Sequence, residues 1–290
     1  MARWITRRDN PLTARVAINH IWMRHFGEPI VATVENFGLS GQAPSHPRLL
    51  DWLAVELMEH GWSMKHIHRL MVTRNAYRMQ SWPSRKDHPN LVTDANNRYL
   101  WRMNQRRMEA ETVRDSMLLA AGELAPIVGG PELDHYTGQR SRRRSLYFTH
   151  TPNENMEFLR LFDQADADGC YRRHESIVPQ QALALSNSEM SYTLSHVLAR
   201  RTSEEVGRDE GHFVAATFER MLGRAPTAEE QADSLEYLQR QASLLTDPRK
   251  LTRFEAAIPG EVPPSVEPWL RARESLVHVL FNRNKFVTIR

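Results

Sequence analysis

Apolar residues recur every three or four positions along most of the chain, the period of an α-helix that buries one face. Leu12, Val16, Ile18, Ile21, Trp22 and Phe26 form the first such face. Asn10 ahead of Pro11 opens it, a cap followed by a proline at the first helical position, and Gly27 closes it. After a loop with Gly38 and Gly41, Ser45-His46-Pro47 begins a second helix that carries Leu50, Leu53 and Leu57 and ends at Gly61. Ser63 is placed to cap a third, whose face holds Ile67, Leu70 and Met71. The polar chain from Ser81 to Asn97 reads as irregular.

A longer helix is predicted from about Met108 to Leu124, with Val113, Met117, Ala121 and Leu124 on one side. Gly129-Gly130-Pro131 is a break. Ser145 to Thr149 alternates weakly and is aromatic, which predicts a short strand. Helices follow over Asn155–Phe162 and Gln180–Arg201. Phe213 to Leu222 is amphipathic and stops at Gly223. Thr227-Ala228-Glu229-Glu230 is a capping box that starts a helix running to about Leu245. The proline-containing stretch from Thr246 to Pro268 is long for a compact domain and reads as a linker or a functional loop. Trp269 to Phe281 makes the last helix. The pattern therefore predicts a mainly α fold: a multi-helical domain over 1–201, with a few short strands, and a smaller C-terminal helical unit over 202–290.

Composition changes this picture little. The 290 residues are 41% hydrophobic and 25% charged, ordinary for a globular protein with a sizeable core. No apolar run is long enough to span a membrane. The opening MARWITRRDNPLTARV lacks the apolar segment and cleavage site of a signal peptide. It starts almost inside a helix signal, so the sequence is expected to be a fragment or the last module of a longer chain. The net charge is +3, yet lysine occurs only at Lys65, Lys86, Lys250 and Lys285. An arginine-rich balance follows from a GC-rich genome, or else from forks that bind carboxylate, sulfate or phosphate. Cys170 is the single cysteine, so no intramolecular disulfide forms.

Candidate chemistry concentrates between Arg143 and Asn187. Cys170 and His174 are four apart, a weak nucleophile–base pair, with Arg172 and Arg173 placed to lower a thiol pKa. Asp163, Asp166 and Asp168 resemble half of a calcium loop without its central glycine or closing glutamate. Upstream, Glu111, Arg114 and Asp115 share one helical face, next to Glu109. Two carboxylates there suit acid–base or glycosidase-like chemistry, but the arginine between them keeps both ionised. The bland alternatives are a capped polar loop, a packed cysteine and a structural ion network. The histidine spacings, such as His66 with His68 and His20 with His25, give no metal motif. No metal and no cofactor are assigned. Arginines beside Trp101 and beside Leu146-Tyr147-Phe148 suit an anionic glycan better than a nucleic acid, which calls for a more basic domain and a reading motif.

Long motifs identify a relationship. NPLTARVAINHIWMRHFG, ENFGLSGQAPSHPRLLDWLAVEL and GWSMKHIHRLMVTRNAYRMQS open the chain. NRYLWRMNQRRMEAETVRDSML, RRSLYF, LFDQAD, CYRRHESIVPQQALALSN, LGRAPTAEE and VLFNRNKFV follow. Together they resemble a planctomycete-type domain of unknown function, number 1553. The resemblance implies the C-terminal module of a larger exported, periplasmic or cell-surface protein. Haem would then belong only to upstream cytochrome-c-like domains, and the partners would be those domains or a companion protein. It supplies no reaction, ligand or catalytic residue.

The function expected is thus an accessory or binding module. The alternatives are a hydrolase acting on polysaccharide and a docking module for a haem-bearing domain. Catalytic candidates are Glu111, Asp115, Asp163, Cys170 and His174; binding candidates are Arg114, Arg144, Arg173 and Gln180. A hydrolase requires these groups to converge on a concave pocket. A binding module requires a groove or patch with arginine and aromatic side chains.

Overall fold

The computed structural model describes all residues except 83–86, 170, 174–175, 177–178, 248, 250–261 and 290. The described chain is mainly α. It divides into two compact units, residues 1–106 with 289–290, and residues 107–288.

The first unit contains α1 (Ala2–Ile5), α2 (Thr13–Phe26), α3 (Pro47–Glu59), α4 (Met64–Val72), α5 (Asn75–Arg78) and α6 (Asn90–Thr93). Helix α2 begins two residues later than its sequence predicts, at Thr13 with Leu12 as the N-cap residue. Asn10 Oδ1 still accepts from the N–H groups of Leu12 and Thr13, in the turn just ahead of the helix. Ser63 caps α4 by accepting from His66 N–H. The core joins Ile18, Trp22 and Phe26 of α2 to Leu50, Leu53 and Leu57 of α3 and Ile67 and Met71 of α4.

The second unit contains α7 (Ala110–Ala120), α8 (Glu157–Leu161), α9 (Pro179–Asn187), α10 (Glu189–Val206), α11 (Glu210–Leu222), α12 (Ala228–Leu244) and α13 (Pro268–Phe281). The predicted helix over Gln180–Arg201 is two helices. Ser188 divides them, because its side chain accepts from Ser191 N–H and caps α10. The capping box of α12 forms in full, with Thr227 and Glu230 each accepting from the other's backbone. Helices α10 and α13 pack along their lengths through Leu194 and Leu198 against Leu276, Val277 and Leu280. Truncating such a residue to alanine costs about 2–5 kcal/mol. The boundary expected after Arg201 falls inside α10, where Ala199, Thr202 and Ser203 are all buried.

The predicted strand over Ser145–Thr149 is corrected. Ser145–Tyr147 is a single 3-10 turn, and Phe148 makes an isolated parallel bridge to Leu133. The backbone of Ser145 is taken by Asp115, which accepts from its N–H at 2.9 Å, so a ladder has no donor there. The regular strands among the described residues are two-residue β1 (Arg106–Arg107) and β2 (Thr288–Ile289), which pair.

Arginine has a structural role that composition did not reveal. Arg114 and Arg273 are among the largest fully buried side chains. Arg273 donates to Ser203 Oγ at 2.9 Å and to the Gly207 carbonyl at 2.7 Å, and its guanidinium lies over the rings of Phe213 and Trp269. It ties the C-terminal end of α10 to α13, using donors to meet carbonyls that a helix end leaves unpaired.

Candidate functional site

The residues singled out in the sequence gather in the second unit, and most are held by neighbouring protein groups. Arg114 Nε and Nη2 donate to the Gly138 carbonyl at 3.1 and 2.8 Å, and Nη1 to the Arg143 carbonyl at 3.0 Å. Nη2 also reaches the Ser141 carbonyl, and Phe148 lies under the guanidinium at 4.9 Å. Burial lowers the Arg114 pKa to about 10, with the Asp115 carboxylate opposing the shift, so it remains charged at neutral pH. Asp115 accepts from both N–H and Oγ of Ser145, at 2.9 and 2.6 Å. Arg144 approaches it only to 3.9 Å and is largely exposed.

Glu111 pairs with Arg173 at 2.6 Å, and Glu109 lies 3.6 Å from the same guanidinium. Asp163 has φ of +58°. It accepts from Ser176 N–H at 2.7 Å, from Ser176 Oγ at 2.8 Å and from Gln181 Nε2 at 3.3 Å. Gln180 is exposed, whereas its neighbour Gln181 is buried. Cys170 and His174 lie outside the described residues. The cavity lined by Arg107, Phe162, Asp163, Arg173 and Gln181 measures about 30 Å³. That is the scale of one water molecule, not of a sugar ring.

A different place in the same unit has the size and chemistry of a ligand site. A half-open cleft of about 530 Å³ is bounded by α9, α10, α12, α13 and the segment 262–266. Its volume is in the range of small-molecule sites. Helix α10 contributes Tyr192 and His196 one turn apart, and α13 contributes Arg271, Glu274, His278 and Asn282 along one face. Tyr237 of α12 and Arg283 complete the polar wall.

The hydrogen bonds fix the two imidazoles. His196 Nδ1 donates to the Val262 carbonyl at 2.7 Å, which leaves the lone pair on Nε2. Burial lowers the His196 pKa to about 4, against the raising effect of that bond, so the ring is neutral at pH 7. His278 donates to the backbone carbonyls of Leu185 and Ser186; burial lowers its pKa as well. Its Nε2 is buried without a protein partner among the described residues. Tyr192 stands edge-on to both rings, with centroids 4.2 Å from His196 and 5.9 Å from His278.

Glu274 is nearly inaccessible. It accepts from Ser265 N–H at 2.9 Å and from Arg200 Nε at 3.1 Å. Burial nevertheless outweighs these bonds and raises its pKa. Its Oε2 lies 4.0 Å from His196 Nε2, too far for a hydrogen bond. With the carboxylate ionised, two acceptors face each other. A donor placed about 2.8 Å from each would bridge them.

Sequence reasoning missed this cleft. Its signal was Tyr192, His196 and Arg200 at spacing four, and Arg271, Glu274, His278 and Asn282 at spacings three and four. On an amphipathic helix such a stripe reads as the solvated face.

The model of a family described as protein of unknown function (DUF1553) matches residues 1–238. The chain belongs to this family. No curated protein matches it, and no solved structure does. The match includes α10 and ends within α12, so the α13 wall of the cleft lies beyond it.

Proposed function

We propose that this DUF1553 chain is a binding module whose α10–α13 cleft takes a small anionic, hydroxyl-rich ligand, with a carboxylated or sulfated sugar unit as the best fit. The observation that carries the reading is His278 Nε2, a buried polar atom without a described protein partner, on a cleft that also holds Arg271 and Arg283. Since the ring N–H is given to the Leu185 and Ser186 carbonyls, Nε2 is an acceptor, and a ligand hydroxyl that donates to it meets a group the fold leaves unmatched. The two arginines supply fork-shaped donors for carboxylate or sulfate, and Tyr192 and Tyr237 supply ring surface for a sugar. The pair of acceptors at His196 and Glu274 suits a ligand donor. The resemblance of the motifs supports a setting in which this module follows cytochrome-c-like domains in an exported planctomycete-type protein.

The second reading is a hydrolase using Glu274 as a buried acid with raised pKa beside the neutral His196. Two-carboxylate glycoside hydrolysis needs a second acid, and the described lining of the cleft offers Glu274 alone. This favours binding over turnover. Docking to a haem-bearing domain has no comparable support from a specific feature.

Titration of the full chain with glucuronate- and galacturonate-containing and sulfated oligosaccharides, read by calorimetry, tests the proposal. Saturable binding should weaken about tenfold or more in Arg271→Ala, since a lost charged contact costs roughly 1.5–3 kcal/mol, and about two- to tenfold in His278→Ala, which loses a neutral hydrogen bond worth roughly 0.5–1.5 kcal/mol. It should persist in Glu111→Gln. Silence toward every probe, or equal binding in both cleft variants, would overturn it. Product formation abolished by Glu274→Gln would install the hydrolase reading instead.

A further inference from the structure

The first unit holds a cluster that neither the cleft nor its ligand uses. Glu56 lies near the C-terminal end of α3, and His60 follows it by one helical turn as the C-terminal cap residue. Gly61 and Trp62 then adopt left-handed backbone, with φ of +63° and +60°. This reverses the chain so that α4 starts at once, and Ser63 fixes its first turn by accepting from His66 N–H. The ring of His66 is thereby laid over that of His60, with centroids 3.9 Å apart and planes 9° from parallel. His66 Nε2 is 2.8 Å and His60 Nδ1 3.4 Å from the same oxygen, Glu56 Oε1. Each of the three side chains retains access to solvent.

From this geometry we infer a binding site for a divalent transition-metal ion of the zinc class, formed by Glu56 Oε1, His60 Nδ1 and His66 Nε2. Three donor atoms of two elements lie within 4.8 Å of one another. In a tetrahedral zinc site, bonds of about 2.0 Å place ligand atoms about 3.3 Å apart. The observed separations of 2.8 and 3.4 Å bracket that value, and loading requires the two stacked rings to turn so that both lone pairs meet at the ion. Two imidazoles with one carboxylate select zinc, copper, nickel or cobalt over magnesium and calcium, which take oxygen ligands. Without metal, both rings can turn an N–H toward the carboxylate, and His60 Nδ1 is also 3.0 Å from the Glu56 carbonyl. On binding, the N–H of each neutral ring sits on its other nitrogen, so that His60 Nδ1 and His66 Nε2 present lone pairs to the ion. Three protein ligands leave at least one coordination position to water or to an added ligand.

Sequence spacing hid the site. Glu56 and His60 are four apart on a helix, but His66 comes from the next helix, and only the left-handed turn at Gly61-Trp62 closes the triangle. The nearby pair His25 and His68, with nitrogens 2.7 Å apart, offers two donors and serves as the control.

The test uses the full chain after chelator treatment. Zinc chloride is titrated by calorimetry, and cobalt chloride by visible absorption, which reports the coordination number. The expected result is one equivalent of either metal and a cobalt spectrum of four or five coordination. Loss of an outer hydrogen-bond partner weakens metal sites about 10- to 100-fold, so His60→Ala and Glu56→Gln should each do at least that. His68→Ala should leave the affinity within about twofold of the unaltered chain, because it is not a ligand. A silent titration of the unaltered protein overturns the site whatever the variants do. So does binding that survives His60→Ala and Glu56→Gln but disappears in His68→Ala.

Discussion

Around Arg114, charged side chains face groups that complete them: the guanidinium meets loop carbonyls, Asp115 meets Ser145, Asp163 meets Ser176 and Gln181, and Glu111 meets Arg173. Between α10 and α13 the residue types are similar, but the outcome differs. Glu274 is held on two sides, while His196 Nε2 stands 4.0 Å from it and His278 Nε2 has no described protein partner. The first region encloses about 30 Å³ and the second about 530 Å³. Density of charge along the sequence therefore marks an ion network as readily as a site. Gln181 Oε1 in the network is as unmatched as His278 Nε2 in the cleft, so what separates the two regions is space for a ligand beside such an atom.

The strongest way to break this contrast is to remove the centre of the network. Arg114→Met should destabilise the chain by about 4 kcal/mol in urea unfolding, because the carbonyls of Gly138, Ser141 and Arg143 and the Asp115 carboxylate lose a buried donor. Glycan binding by the folded fraction should be unchanged. A loss below about 1 kcal/mol would mean that the network is not structural.

The cleft should instead reveal itself through pH. The folded pKa of His196 is about 4, below its ordinary value of 6.5, so the unfolded chain binds more protons between those values. The contribution is complete above pH 6.5 and is lost as pH falls toward 4, about 3 kcal/mol over the whole window. Glu274 acts in the opposite sense: its raised pKa makes the buried charge a cost that acidification relieves, which offsets part of the slope. Urea unfolding at a series of pH values should therefore show a steeper acid limb for the unaltered chain than for His196→Gln. Coincident limbs would rule out a buried neutral imidazole.

The smallest expected effect separates two adjacent glutamines. Gln181 is buried and donates to Asp163 and Ser176, so Gln181→Ala should cost about 1–2 kcal/mol. Gln180 is exposed, and Gln180→Ala should stay within about 0.5 kcal/mol. Equal effects would place the network elsewhere than the hydrogen bonds do.

Much of the fold was legible from local signals. The helices with clear caps, begun by Ser63 and by the Thr227–Glu230 box, occur close to their expected positions, because capping is decided within four residues, whereas the Asn10-Pro11 signal placed the start of α2 two residues early. The aromatic run Ser145–Thr149 was misread as a strand, because its backbone donor is claimed by Asp115, thirty positions away in sequence. The ion network was half legible: the shared helical face of Glu111, Arg114 and Asp115 was evident, but not that Arg114 points into a loop. The cleft was not legible at all. Tyr192, His196, Glu274 and His278 occupy the polar stripes of two amphipathic helices, and such stripes normally face water.

The sequence by itself determined the mainly α character, most helix starts and stops, and the family, since all of these depend on short-range pattern or on long distinctive motifs. Only the tertiary structure decided which polar residues are used up and which are left available. That distinction rests on which helix faces oppose one another. The register of α10 on α13, and the reversal at Gly61-Trp62, are set by packing between segments far apart or by a backbone conformation that residue spacing does not encode.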